Sequence, residues 1–229
     1  MIARIRQAAA SDYPKLVGTP QLMTAIDAVA RLPREHFIPG DMRKNAYRDT
    51  PLPIGYNQTI SDAYIVTVMT AALALAQSAH VLEVGTGSGY QAAVLARIAA
   101  QVHTVEIVPE LAERSAQTLR ALGTANVEVH QGDGFAGWAA GAPYDAIIVT
   151  AGAAAVPPPL LAQLKPGGRL IMPVGPQWPL EQLILITKEK DDQLKRCSMG
   201  PVMFVPLTGR GERPPASHGL YDRSVPACF

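Results

Sequence analysis

The segment Glu83-Val84-Gly85-Thr86-Gly87-Ser88-Gly89 combines an acid with three glycines at alternate positions. Glycines let a backbone take positive φ and let a ligand approach the chain closely. A short apolar run at 80–84 precedes this loop and a helical pattern at 90–100 follows it. Free N–H groups at the start of that helix then face whatever the loop holds. Spacing excludes two cofactor loops. A dinucleotide loop needs Gly or Ala where this chain has Tyr90, and a P-loop needs a Gly-Lys-Ser/Thr that is absent. Two further acids stand at matching stations. Glu106 ends the next apolar run, 17 residues after Gly89, where doubly wound folds meet a ribose with a carboxylate. Asp133, within Gly132-Asp133-Gly134, follows the third run. A carboxylate there can accept from an adenine amino group while small neighbours leave space. Singly, each acid reads equally well as a solvated strand end. Together on one sheet they point to an adenosine.

These stations need a scaffold, and the hydrophobic rhythm describes one. Strand patterns cover 80–84, 102–106, 127–130, 144–149 and 169–174, with helical patterns at 90–100, 109–122 and 157–164 between them. Such alternation predicts an α/β fold with a mostly parallel sheet and helices on both faces. The nearly continuous apolar strands suit burial on both sides. Residues 165–168 read as a turn, and 183–187 and 202–205 as two further strands. Ahead of the sheet, Leu22, Ile26, Val29 and Ala30 recur at helical spacing, and Pro33 closes the run. The stretch to about Ile38 is therefore a helical extension. The Pro- and Gly-rich stretch 39–60 predicts an irregular segment. Thr59 with Asp62 is a hydroxyl and an acid at helix-start spacing, so a helix is expected from there to about Gln77. In that reading Ser61 is an N-cap, or a first-turn residue if Thr59 caps. The chain then divides, within one domain, into a substrate-side extension (1–78), a Rossmann-like core (79–208) and a loosely ordered tail (209–229).

The pattern acid-x-G-x-G-x-G resembles the first motif of class I S-adenosylmethionine-dependent methyltransferases. Further segments narrow the resemblance. Pro33-Arg34-Glu35-His36-Phe37-Ile38-Pro39, Pro51-Leu52-Pro53-Ile54-Gly55-Tyr56-Asn57-Gln58-Thr59-Ile60-Ser61 and Leu164-Lys165-Pro166-Gly167-Gly168-Arg169-Leu170 look like those of the protein-L-isoaspartate O-methyltransferase family, over roughly 23–208. The resemblance implies methyl transfer from S-adenosyl-L-methionine to the α-carboxylate of L-isoaspartyl residues, in damaged proteins and peptides as partners. It implies Ser61 at the active site. It implies cofactor contacts from Gln58, Thr59, Ile60, Glu83, Gly85, Gly87, Ser88, Gly89, Glu106, Ile107, Asp133 and Gly134. Thr208, with Ser61, is implied at the substrate end; Thr150 is placed there by its position after the fourth strand pattern, where substrate enters this fold, with close packing as the competing role of the small residues beside it. Asn57 departs from the family's usual Gly, and Asn tolerates positive φ better than most residues. The tail beyond Thr208, with Arg213, matches less well. Two other functions compete: a same-fold carboxyl methyltransferase acting on aspartate of a dedicated peptide or on a small acid, and a cofactor-binding module without catalysis. The intact loop, Glu106, Asp133 and Ser61 argue against the last, and the Gln-Thr-Ile-Ser segment favours isoaspartate.

Bulk properties agree with such an enzyme. With 48% hydrophobic and 17% charged residues, the 229-residue chain can bury a substantial core. A net charge of +1 lacks the basic footprint of a nucleic-acid binder. The longest apolar stretch, 64–76, falls short of the ~20 residues of a membrane helix. Residues 1–6 carry charge without a following apolar core, which argues against a secretory signal. The expectation is a cytoplasmic monomer. Cys197 and Cys228 fit no zinc or CxxC spacing, so reduced thiols are expected, with a disulfide left open. No metal is expected: His36, His80, His103, His130 and His218 show no ligand spacing and read as surface or structural residues. Trp138 and Trp178 read as packing residues.

Overall fold

The computed structural model describes residues 1–176, 181–211 and 224–228. Trp178, Arg213 and His218 lie outside the described residues. The helical extension forms α1 (Ile2–Asp12) and α2 (Pro20–Ala30), followed by a 3-10 turn at Arg34–Phe37. Pro20 opens α2, where a missing N–H costs nothing, and the Thr19 side chain caps it by accepting from Leu22 N.

The stretch expected to be irregular instead contains an antiparallel hairpin, β1 (Leu52–Gly55) and β2 (Gln58–Ile60). Its two-residue turn holds Tyr56 at φ 55° and Asn57 at φ 57°. Such type I′ geometry matches strand twist and favours Asn, so Asn57 suits this turn. The hairpin also corrects the helix start. Thr59 is committed to the β1–β2 ladder, and the residue left to cap the helix is Asp62, whose Oδ1 accepts from Ile65 N at 2.8 Å. Helix α3 (Ala63–Ala72) therefore begins after Ser61, which neither caps it nor sits in its first turn. It also ends before Gln77, because Ala74 takes φ 50°.

The remaining elements are β3 (His80–Val84), α4 (Tyr90–Ala96), β4 (Gln101–Glu106), α5 (Pro109–Ala121), β5 (Val127–Gln131), β6 (Tyr144–Val149), α6 (Pro158–Gln163), β7 (Leu164–Val174), β8 (Glu181–Lys188) and β9 (Leu194–Val202). They build one seven-stranded sheet in the order β5-β4-β3-β6-β7-β8-β9. The first five of these strands pair in parallel, and β8 and β9 add antiparallel to β7. This is the Rossmann-like architecture expected. Strand order reverses between β3 and β6, and open α/β sheets bind ligands at the carboxyl ends of such a switch point.

Residues 165–168, expected as a free turn, are a bulge inside β7, since Leu164 pairs with Tyr144 and Arg169 with Ala146. The last strand is displaced from 202–205 to Leu194–Val202. Its first residues are exposed because it is the sheet edge, so it lacks the apolar signature of a buried strand. Beyond it, Phe204 N donates to the buried Glu181 at 2.9 Å instead of extending the ladder.

The cysteines are not reduced thiols. A Ser198–Ala227 bridge lays 224–228 beside β9, bringing the Cα atoms of Cys197 and Cys228 to 5.0 Å, and they form a disulfide. Two partners 31 residues apart meet through tertiary packing alone. No helix among the described residues is long and apolar enough to cross a membrane.

Candidate active site

The loop after β3 and the residue after β6 face each other across the switch point. Gly85 takes φ 93°, and a Cβ there would lie 2.5 Å from Thr150 Oγ1. The Thr150 hydroxyl lies 2.7 Å from the Gly85 carbonyl oxygen it donates to. A side chain at Gly85 would therefore be strained twice, by backbone conformation and by crowding. Glu106, ending β4, latches the same loop: Oε2 accepts from Gly87 N at 2.7 Å and Oε1 from Val108 N at 3.0 Å. Each carboxylate oxygen has a second lone pair, so Glu106 can hold the loop and still accept from ligand hydroxyls. Gly89 has another task. At φ 87° it caps α4 and packs against Ser115 and Leu119, outside the cleft lining.

A cleft of about 540 Å³ opens over the strand ends, lined by Gln58, Thr59, Gly85, Gly87, Glu106, Ile107, Gly134, Thr150 and Thr208 among others. An adjoining chamber of about 320 Å³ is lined by Ile60, Ser61, Glu83, Ser88 and Gln91, and shares Thr59, Gly85, Gly87 and Thr150 with the cleft. On the outer side, a recess of about 680 Å³ takes Thr59, Ser61 and Thr150 together with Pro51, Tyr64, Ile65, Met203 and Phe204. Three residues thus border both inner chamber and outer recess: Thr59, Ser61 and Thr150.

Glu83 is fully buried in the chamber wall, and neither carboxylate oxygen has a hydrogen-bond partner. Burial pushes its carboxyl up to about 8; the Thr104 hydroxyl, whose own hydrogen bond is with Thr86, opposes the rise from nearby, and Glu106 adds to it. An orphaned buried acid is costly, and a cationic ligand group entering the chamber would relieve it. A sulfonium cofactor with an amino-acid end and a ribose suits this wall, with Glu83 on one side and the Glu106 lone pairs on the other.

Asp133 stands beside the cleft without lining it. Oδ1 accepts from Phe135 N at 3.0 Å, and Oδ2 from Arg210 N and Nε at 3.1 Å each. Burial opposes its charge, but these bonds and the Arg210 charge hold its carboxyl below the usual range. Of the residues expected at the site, all line the cleft or chamber except Gly89 and Asp133.

Sequence reasoning gave Arg34 no role, yet it positions Ser61. Its side chain is fully buried, Nη2 donates to the Ser61 carbonyl at 2.6 Å and Nε to the Ala46 carbonyl at 2.9 Å. Its guanidinium lies 4.7 Å from the Tyr90 ring centroid, a cation–π arrangement. Burial lowers its pKa, while Tyr90 and Asp62 favour the charge. The only hint in the sequence is an arginine between Pro33 and Phe37, too weak a signal to read alone. Arg34→Ala leaves two carbonyls unpaired and a void. It should cost about 3 kcal/mol in denaturant unfolding. Below its melting point, the variant should lose catalytic rate while binding cofactor within about twofold of wild type.

Residues 15–212 match the model of the family described as protein-L-isoaspartate(D-aspartate) O-methyltransferase. Protein-L-isoaspartate O-methyltransferase 2 of Syntrophobacter fumaroxidans is 47% identical over 209 residues, covering 91% of this chain and 85% of that protein. The protein of the same name from Pelobacter propionicus is 53% identical over 182 residues, covering 80% and 81%. Among solved structures, one named protein-L-isoaspartate O-methyltransferase superposes with a TM-score of 0.78 at 26% identity, covering 92% of this chain and 67% of that one. A Plasmodium falciparum structure described under the same activity, in complex with S-adenosyl-L-homocysteine, has a TM-score of 0.73 at 21% identity over 90% and 97% of the chains, which supports the fold. With cleft, fold and relatives in agreement, the chain belongs to the protein-L-isoaspartate(D-aspartate) O-methyltransferase family.

Proposed function

We propose that this protein transfers a methyl group from S-adenosylmethionine to the α-carboxylate of L-isoaspartyl residues in proteins and peptides, as one methyltransferase unit. The observation that carries the assignment to a site is the shared border. Ser61, Thr59 and Thr150 line both the chamber containing Glu83 and the recess open to the outside. A substrate carboxylate entering by the recess meets the cofactor chamber at that throat.

When bound, S-adenosylmethionine supplies an electrophilic methyl group on a sulfonium. A carboxylate is already an adequate nucleophile, so the chain has little proton transfer to perform and its task is alignment. Ser61 donates a hydrogen bond that fixes the incoming carboxylate. Arg34 holds the Ser61 backbone and Asp62 caps the helix behind it. Glu106 would take the ribose hydroxyls, and Gln58, Thr59 and Ile60 would close over the cofactor. The methyl ester then closes to a succinimide as the backbone amide nitrogen displaces methanol, and water partly reopens that ring to normal aspartate, so methylation starts the repair of the chain.

The decisive experiment is methylation of a synthetic L-isoaspartyl peptide beside its normal aspartyl twin. Label should enter the isoaspartyl peptide only. Equal labelling of both, or labelling of neither, overturns the assignment.

A further inference from the structure

Three of the histidines, far apart in the chain, meet on one face of the sheet, away from the residues assigned to the cleft. His103 lies on β4, and Glu128 and His130 on β5; the parallel register sets His103 opposite Glu128, with His130 two residues further along the same face. His103 Nδ1 and His130 Nε2 are 2.8 Å apart. Glu128 Oε2 stands 3.8 Å from the first and 3.9 Å from the second.

We propose that His103, His130 and Glu128 form a binding site for a divalent transition-metal ion of the zinc class. The sides of that triangle place its equidistant point about 2.1 Å from all three ligand atoms, which is the bond length zinc makes to imidazole nitrogen and carboxylate oxygen. Two imidazoles with one carboxylate is a donor set for such ions and a poor one for calcium or magnesium, which want oxygen ligands.

The surroundings are those of a held site. His103 is 6% exposed. Its ring lies edge to edge with His130, 5.1 Å between centroids and 16° between planes, and meets His80 and Tyr144 edge-on, while His130 stacks on Trp138 at 3.9 Å between centroids. Packing limits both imidazoles to small motions, and each must tilt from the line of their mutual hydrogen bond toward the centre of the triangle to ligate, so the loss of side-chain entropy on binding is small. Gln101 Nε2 donates to Glu128 Oε1 at 3.1 Å, which leaves Oε2 for the metal. Such outer hydrogen bonds orient ligating carboxylates. Glu128 is more than half exposed, so solvent reaches the site and can fill a remaining coordination position. Binding displaces the single proton between the two imidazoles. The ring that carried it takes it on its other nitrogen, so both rings stay neutral as ligands. The ion would clamp the edge strand β5 to β4, immediately before the segment that carries Asp133.

The test uses the full chain, stripped with chelator and titrated with zinc sulfate by calorimetry, with thermal melting in parallel. One ion per chain with micromolar or tighter affinity and a raised melting temperature are expected. Magnesium and calcium salts should do neither. Glu128→Gln, an exposed change that preserves the fold, should weaken zinc binding at least tenfold, and His130→Gln should abolish it. Wild type failing to bind zinc below millimolar concentrations overturns the site. So does undiminished binding in Glu128→Gln, checked for native melting without metal. Neither readout uses methylation, so the result stands independently of the catalytic assignment.

Discussion

Glu106→Ala should weaken S-adenosylmethionine binding by about a hundredfold or more, while Ser61→Ala stays within about threefold of wild type. Two losses combine at Glu106. Its carboxylate is placed to accept two ribose hydroxyls, and bonds to a charged acceptor are worth about 1.5–3 kcal/mol each. At 1.4 kcal/mol per factor of ten, two such bonds account for the expected loss. The same carboxylate latches Gly87 N and Val108 N, so alanine also frees the loop that forms the cleft floor. Ser61 borders the chamber from the substrate side, and its loss should appear in methylation rate and peptide KM. Calorimetry on both variants measures the order. A Ser61→Ala protein that binds cofactor more weakly than Glu106→Ala would refute this division of roles. Glu106→Gln serves as a size control. It keeps one carbonyl acceptor but presents an amide N–H₂ toward a backbone donor, so it should fall between wild type and alanine.

What could be read from the sequence depended on how local the signal was. The glycine loop, Glu106 and the strands 80–84 and 144–149 announce themselves within a few residues, because strand burial and loop spacing are short-range properties. The Thr59–Asp62 spacing misled, because a capping signature is also short-range and cannot reveal that Thr59 pairs with Pro53 across a hairpin. Family resemblance pointed to Ser61 where spacing did not. Arg34 acts on Ser61 and Ala46 across 27 and 12 residues, and His103 reaches His130 only through strand register. Nothing near any of these residues in sequence marks the partner. Edge strand β9 was obscured by its own exposure, since Lys195 and Arg196 face solvent and break the apolar pattern. The disulfide is of the same non-local kind.

The Glu83 contribution to the stability of the cofactor-free protein should fall as pH rises from about 5 to 8, and Glu83→Gln should shift the pH dependence of unfolding accordingly. Burial holds the Glu83 carboxyl at about 8 in the folded chain, against 4.5 when free. Between those values the native state keeps a proton that the unfolded state has released. The unfolded state therefore gains relative stability with each pH unit, at up to about 1.4 kcal/mol per unit. Below the window both states are protonated and above it both are ionised, so the effect is confined there. His80, His103 and His130, all lowered by burial, act with the opposite sign over the acidic part of the window. The informative quantity is thus the difference between wild type and Glu83→Gln in denaturant unfolding at pH 5.5 and 7.5, which cancels the histidines. Parallel slopes in the two proteins would show that Glu83 ionises normally. The same proton gives a second readout. The sulfonium and ammonium charges of S-adenosylmethionine favour the ionised carboxylate. Cofactor binding at pH 7 should therefore release a proton from wild type and none from Glu83→Gln, seen as a buffer-dependent binding enthalpy. A buffer-independent enthalpy in wild type would place the cofactor's charges away from Glu83 and leave that acid a purely structural burden.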